Sequence, residues 1–318
     1  MTIWEKMQKI DRRILYAILV VLVCGGLFFP TTIPTDPDPS SKSFYEAMQA
    51  LPEGATVIVQ TDWTNSTRGE SMGHFENLLR LLMDKDAKFV FYSAADPAAP
   101  QVARTVLARI VAERKSQNLK EYKVGEDYID LGFFPNAEAT NTTMGANLRA
   151  AWAGRKSKLA GQGDVDIWQT PVLKKVNKIE DCQMMVVVTA SSSIDVAVQR
   201  LANKIKITAL VTGVVGPTVL PFYQSGQVAG VGVGLKGVYD VEYLMKNGIN
   251  DVKDKDGERP VVTWNKPGTV PHVTEGTTLA RGQQYYGTLH VALALLILAV
   301  ILGNVAMFAA RRRKGDSV

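Results

Sequence analysis

The chain has 318 residues, 46% of them hydrophobic, which suits one substantial domain or two small ones. Its net charge of +5 is gathered at the ends, Lys6, Lys9, Arg12 and Arg13 at one and Arg311, Arg312, Arg313 and Lys314 at the other. Charge between the clusters is near balance, so a nucleic-acid surface is excluded as the source of the basic excess, and nucleic acid is not an expected partner.

Both clusters adjoin long uncharged runs, Ile14 to Phe29 and Leu289 to Ala310. A membrane span takes roughly 20 apolar residues. The second run meets this, and the first does so by extending through Pro30 to Ile33. No small-x-small cleavage site follows the first run, and Val23 precedes Cys24 where a lipoprotein signal has a small residue, so an uncleaved anchor is expected. Lys and Arg stay on the cytoplasmic side of a span. The pattern therefore predicts transmembrane helices over 14–33 and 289–310 in the cell (inner) membrane. Cytoplasmic tails would lie at 1–13 and 311–318, and everything between the spans would be extracytoplasmic. Cys24 falls in a span and Cys182 outside it, which leaves no internal disulfide. Asn65-Ser66-Thr67 and Asn141-Thr142-Thr143 are glycosylation sequons.

TTIPTDPDPSSKS (Thr31 to Ser43) reads as a linker, since it lacks periodicity and is rich in Pro, Asp and Ser. Beyond it, strand-like runs alternate with helical spacing. Strands are predicted at Thr56–Gln60, Lys88–Ser93, Asp127–Phe133, Met184–Ala190 and Ile207–Gly216. Helices are predicted at Met72–Lys85, Pro100–Lys115, Met144–Ala153, Ile167–Val176 and Ser193–Asn203. Continuous apolar runs separated by helices predict a doubly wound α/β domain with a mainly parallel sheet, over 44–247. The stretch 248–288 reads as a return linker or arm, and Asp254 and Asp256 in its DKDG are expected to form a turn rather than a calcium loop.

Gly232, Gly234 and Gly237 spell G-x-G-x-x-G, the dinucleotide fingerprint, which belongs in a strand-to-helix turn. Here the preceding predicted strand ends near Gly216 and Pro217 and Pro221 suit a helix start, so the glycines are expected inside a helix. Gly226, Gly230 and Gly234 then recur every fourth residue and form a smooth stripe against which another helix packs. PFYQSGQVAGVGVGLKGVYDVEYL (Pro221 to Leu244) resembles a motif of an uncharacterised group of prokaryotic membrane proteins, in which a span precedes an α/β domain. LPEGATVIVQTDWTNSTRGE (Leu51 to Glu70) is similar to their opening strand and loop. Where the group has Ala-Ala-Glu-Tyr-Glu this chain has Val238-Tyr239-Asp240-Val241-Glu242. The resemblance implies an architecture and no activity.

Ligands of doubly wound folds sit beyond the carboxyl ends of the strands. That singles out Asp62, Thr64, Ser66, Thr67 and Glu70 after the first strand, Ser93 and Asp96 after the second, Ser191, Ser192 and Ser193 after the fourth, and Thr212. Asp62-Trp63-Thr64-Asn65-Ser66 is close to the D-x-S-x-S metal loop of von Willebrand A-type domains, whose oxygen ligands suit a divalent cation. An Asx/ST turn is the competing reading. His74, His272 and His290 have no nucleophile elbow to serve, and Cys182 reads as inert core. Trp152, Trp168 and Trp264 are read as packing or contact residues. Arg155, Lys156, Lys158, Lys174, Lys175 and Lys178 are read as a solvated or headgroup-facing basic set. No catalytic residue or cofactor is assigned. The expectation is a non-catalytic assembly subunit that contacts the membrane and other membrane subunits or itself. An extracytoplasmic sensor of a small ligand or divalent metal ranks second, and a membrane-tethered hydrolase third.

Overall fold

A computed structural model describes residues 11–29, 33, 35–249 and 281–315. They fall into two units, Met1–Thr35 with Ala280–Val318, and Asp36–Leu279. The predicted arm, with Asp254, Asp256, Trp264 and His272, lies for the most part outside the described residues, as do Lys6 and Lys9.

The first helix, α1 (Arg12–Phe28), opens on Asp11, whose carboxylate accepts from the Arg13 amide at 2.9 Å. The larger unit then begins with α2 (Pro39–Gln49), a helix where a linker is expected. Pro39 stands at the first helical position, where its missing N–H and fixed φ favour helix entry.

There follow β1 (Thr56–Asp62), α3 (Arg68–Asp84), β2 (Lys88–Ser93), α4 (Ala99–Ser116) and β3 (Tyr128–Phe133). A polar excursion holds α5 (Ala137–Ala146), α6 (Leu148–Ala151) and the antiparallel hairpin β4 (Lys156–Leu159) and β5 (Gly163–Asp166). The chain returns through β6 (Met184–Thr189), α7 (Ser193–Leu201), β7 (Ile207–Val211), α8 (Gly216–Gln224), β8 (Val231–Val233) and α9 (Gly234–Asn247). Six strands form one parallel sheet in the order β3-β2-β1-β6-β7-β8. Leaving out the hairpin, this is the Rossmann-like order, with the topological switch between β1 and β6.

Alternation along each strand feeds two cores. Val57 and Val59 of β1, with Met184, Val186 and Val188 of β6, face one side and pack with Phe44, Phe75, Leu78 and Leu82. Ile58, Met185 and Val187 face the other and pack with Ile194, Val198, Trp152 and Leu173. Burial on both faces is why these strands read as unbroken apolar runs. Trp152 is fully buried and stacks on Trp168, centroids 5.9 Å apart, so these two are packing residues.

Three further predicted elements differ. The helix expected at Ile167–Val176 is a single 3-10 turn over Ile167–Gln169, cut short by Pro171. The strand expected to run to Gly216 stops at Val211. The stretch beyond it is not one glycine-striped helix but α8, a turn, β8 and α9. Gly226 lies in the turn with φ +78, Gly230 precedes β8, and Gly234 begins α9 with φ +58. A Cβ on Gly230 would fall on the backbone of Phe44 in α2, so its close partner is another helix of this chain.

The last helix, α10 (Arg281–Gly315), carries over Arg281–Phe308 the one stretch among the described residues that is long and apolar enough to cross a membrane. The 17-residue α1 is apolar but shorter, so length and composition mark one spanning helix where two are predicted. Inside their unit, α1 and α10 touch at Gly26, where a Cβ would come within 2.8 Å of the Thr288 hydroxyl.

Candidate functional site

At the carboxyl edge of the sheet the strand order reverses between β1 and β6, where Asp62 and Thr189 are register partners, and several sequence-derived candidates lie on the loops that leave these strands. Asp62 ends β1 and is almost wholly buried. Its Oδ1 accepts from the Ser93 hydroxyl at 2.8 Å and from the Ala94 and Ala95 amides at 2.8 and 3.1 Å, while Oδ2 accepts from the Gln60 amide. The carboxylate thus caps the loop that leaves β2, across the sheet, rather than the helix that follows it in sequence. Gln60 and Tyr92 are register partners on β1 and β2. The Tyr92 hydroxyl stands 3.0 Å from Gln60 Oε1 and 2.9 Å from Asn141 Oδ1, its one proton shared between the two amide oxygens. Burial, and then the Asp62 charge, push the Tyr92 phenol well above its ordinary range.

The D-x-T-x-S segment turns outward from Asp62. Thr64 and Ser66 share a hydroxyl hydrogen bond of 2.8 Å, and Thr67 Oγ1 donates to the Thr64 carbonyl at 3.3 Å. This is ST-turn chemistry. Across the switch, Thr189 Oγ1 lies 3.2 Å from Ser191 Oγ and 3.1 Å from Ser193 Oγ, and the Ser191 amide donates to it. Ser192 precedes α7 with no side-chain cap bond. Asp96 caps its own turn by accepting from the Ala98 amide at 2.7 Å. Among the described residues no three of His, Cys, Asp and Glu come together as a cation site.

The fingerprint glycines occupy a strand-to-helix turn rather than the interior of a helix. Gly232 is in β8, Gly234 starts α9 and Gly237 lies in its first turn. Each is tightly approached: a Cβ on Gly232 would lie 2.7 Å from Leu210, and one on Gly237 2.6 Å from the Gly232 carbonyl carbon. Two facts separate this turn from a dinucleotide cradle. It sits on an edge strand, two strands from the switch. Glu70 also places a carboxylate at the mouth of α9. Its Oε2 accepts from the Gly213 amide at 2.7 Å and stands 3.5 Å from where a Gly234 Cβ would be. The helix dipole there already faces a negative charge supplied by the protein.

Beneath the turn lies His74, fully buried, with neither ring nitrogen in a hydrogen bond of ordinary geometry. Burial, only partly opposed by the neighbouring Val211 and Gly234 backbone, lowers it to about 4, so the ring is neutral. Cys182 is buried as expected, its thiol pushed up to about 12 by burial and then by Asp181. Of the two sequons, Asn65 is exposed, whereas the Asn141 side chain is fully buried and closed to modification in the folded state. Arg155 lies over the Phe134 ring at 4.2 Å and donates to the Phe133 carbonyl. Lys156, Lys158, Lys174, Lys175 and Lys178 are exposed.

Sequence reasoning missed Gln60, Tyr92 and Asn141 as one network. The available signal was the polar residue in each of two predicted apolar strands. A cleft of about 890 Å³ opens beside edge strand β3, walled by Val111 and Ala112 of α4, Tyr128 and Leu159, and none of the carboxyl-edge candidates lines it. A scan against protein-family models matched none, and searches of curated proteins and of solved structures returned no match.

Proposed function

We propose that this chain is a membrane-anchored, non-catalytic assembly subunit whose Rossmann-like unit makes protein contacts outside the cytoplasm. The observation that carries the reading is how the polar groups at the carboxyl edge of the sheet are hydrogen-bonded. Asp62 is held by Ser93, Ala94, Ala95 and Gln60, Glu70 by Gly213, and Thr189, Ser191 and Ser193 by one another. In an enzyme or sensor of this fold those groups would face a ligand. Here they join one loop to the next, which is what a rigid scaffold needs. The length and composition of α10 support the anchor. The basic residues that precede α1 and end α10 support a two-span arrangement with both termini in the cytoplasm.

The test is the mass and composition of the particle extracted from native membranes in mild detergent. Assembly predicts a species of defined stoichiometry well above the 34.7 kDa of one chain. A clean monomer sinks the proposal. Thiol labelling of single cysteines placed at either end, in sealed vesicles and after permeabilisation, checks the orientation independently.

A further inference from the structure

The side of α10 turned away from α1 has the spacing of a helix-pairing seam. Thr288, which meets Gly26, and the fully buried Ala306 fall on one side of the helix. At about 100° per residue, Asn304 lies about 160° round from Thr288. Leu293, Ile297, Val300, Asn304 and Met307 share that outer side, all of them exposed, and are spaced four, three, four and three residues apart. This is the a/d repeat of a left-handed helix pair, with Asn304 at an a position.

Asn304 makes the seam specific. Its amide has no partner among the described residues, and it lies within the stretch long and apolar enough to span. A carboxamide in hydrocarbon is costly unless hydrogen-bonded. An amide both donates and accepts, so an identical amide satisfies it. Copies of one chain insert in the same orientation, which brings Asn304 of each to the same depth, as a two-fold pair requires.

We propose that α10 pairs in parallel with α10 of a second copy through this seam, Asn304 hydrogen-bonding to its counterpart. The inference rests on the membrane-span reading above and names the chain itself as one assembly partner.

Disulfide cross-linking of the full chain in native membranes tests it, with Cys24→Ser removing the exposed native thiol. Ile297→Cys, on the seam, is expected to give cross-linked dimer, while the exposed Leu298→Cys, off the seam, gives little. Adding Asn304→Leu to Ile297→Cys should lower the dimer fraction roughly threefold or more, and Asn304→Gln should restore part of it. Equal cross-linking at 297 and 298, or indifference to Asn304→Leu, overturns the pairing. Alkaline carbonate extraction on the same membranes separates the two readings. Release of the chain overturns the span and the pairing together, whereas retention without cross-linking overturns the pairing alone.

Discussion

Removing the carboxylate of Asp62 would strand four donors at once, two of them main-chain amides that no side chain nearby replaces. Each buried polar group left without a partner costs about 1–3 kcal/mol, and bonds to an ionised acceptor are the stronger kind. Asp62→Ala is therefore expected to destabilise the larger unit by roughly 3–5 kcal/mol, read as a drop in melting temperature of the full chain in detergent. Asp62→Asn keeps one acceptor oxygen and should cost about 1–2 kcal/mol. If Asp62→Ala melted like the wild type, its carboxylate would be free for a ligand after all, and the sensing reading would regain its footing. The residue scale thus separates a structural carboxylate from a functional one.

At the scale of elements, the turn around β8 shows how glycine positions act through packing. Gly230 and Gly226 are four residues apart, yet one faces the Phe44 backbone and the other open space. Gly230→Ala forces α2 away from β8 and should cost about 1–3 kcal/mol, with Val costing more. Gly226→Ala meets nothing but must hold φ +78, a strain of about 1–2 kcal/mol. Equilibrium urea unfolding of both variants checks this; equal tolerance of Ala and Val at Gly230 would contradict the close approach to α2. The same turn marks the limit of what the sequence discloses. Strands β1, β2 and β6 are legible because residues buried on both faces leave runs such as MMVVVT with no break. Strand β8 has three residues between glycines, too few to carry a period, so α8 and α9 merged into one expected helix and a false stripe appeared. The candidate site is legible in position, since strand ends locate it. Its hydrogen bonds are not, because Asp62 is satisfied 32 residues away and Glu70 143 residues away.

For the whole molecule, the pH dependence of stability gathers buried and part-buried groups of opposite effect. Desolvation raises Asp240, Asp195 and Glu46, so the folded state binds their protons more readily and gains relative stability as pH falls through the acid range. His74 works the other way. Its folded value of about 4 lies below the ordinary 6.5, so between these limits the unfolded chain binds more protons. The stability linked to the neutral ring is complete above pH 6.5 and is lost as pH falls toward 4, by about 3 kcal/mol in all. The two effects overlap, so the wild-type curve alone cannot apportion them, and a His74→Leu variant isolates the ring. Leucine fills a similar volume, and neither ring nitrogen gives up a well-formed hydrogen bond, so stability near pH 7 should change little or rise. Between pH 6.5 and 4 the wild type should lose stability relative to His74→Leu, with the difference steepening toward about 1.4 kcal/mol per pH unit. Parallel denaturation curves for the two proteins across that window would mean that His74 protonates without cost, and hence that water reaches the space beneath the β8–α9 turn.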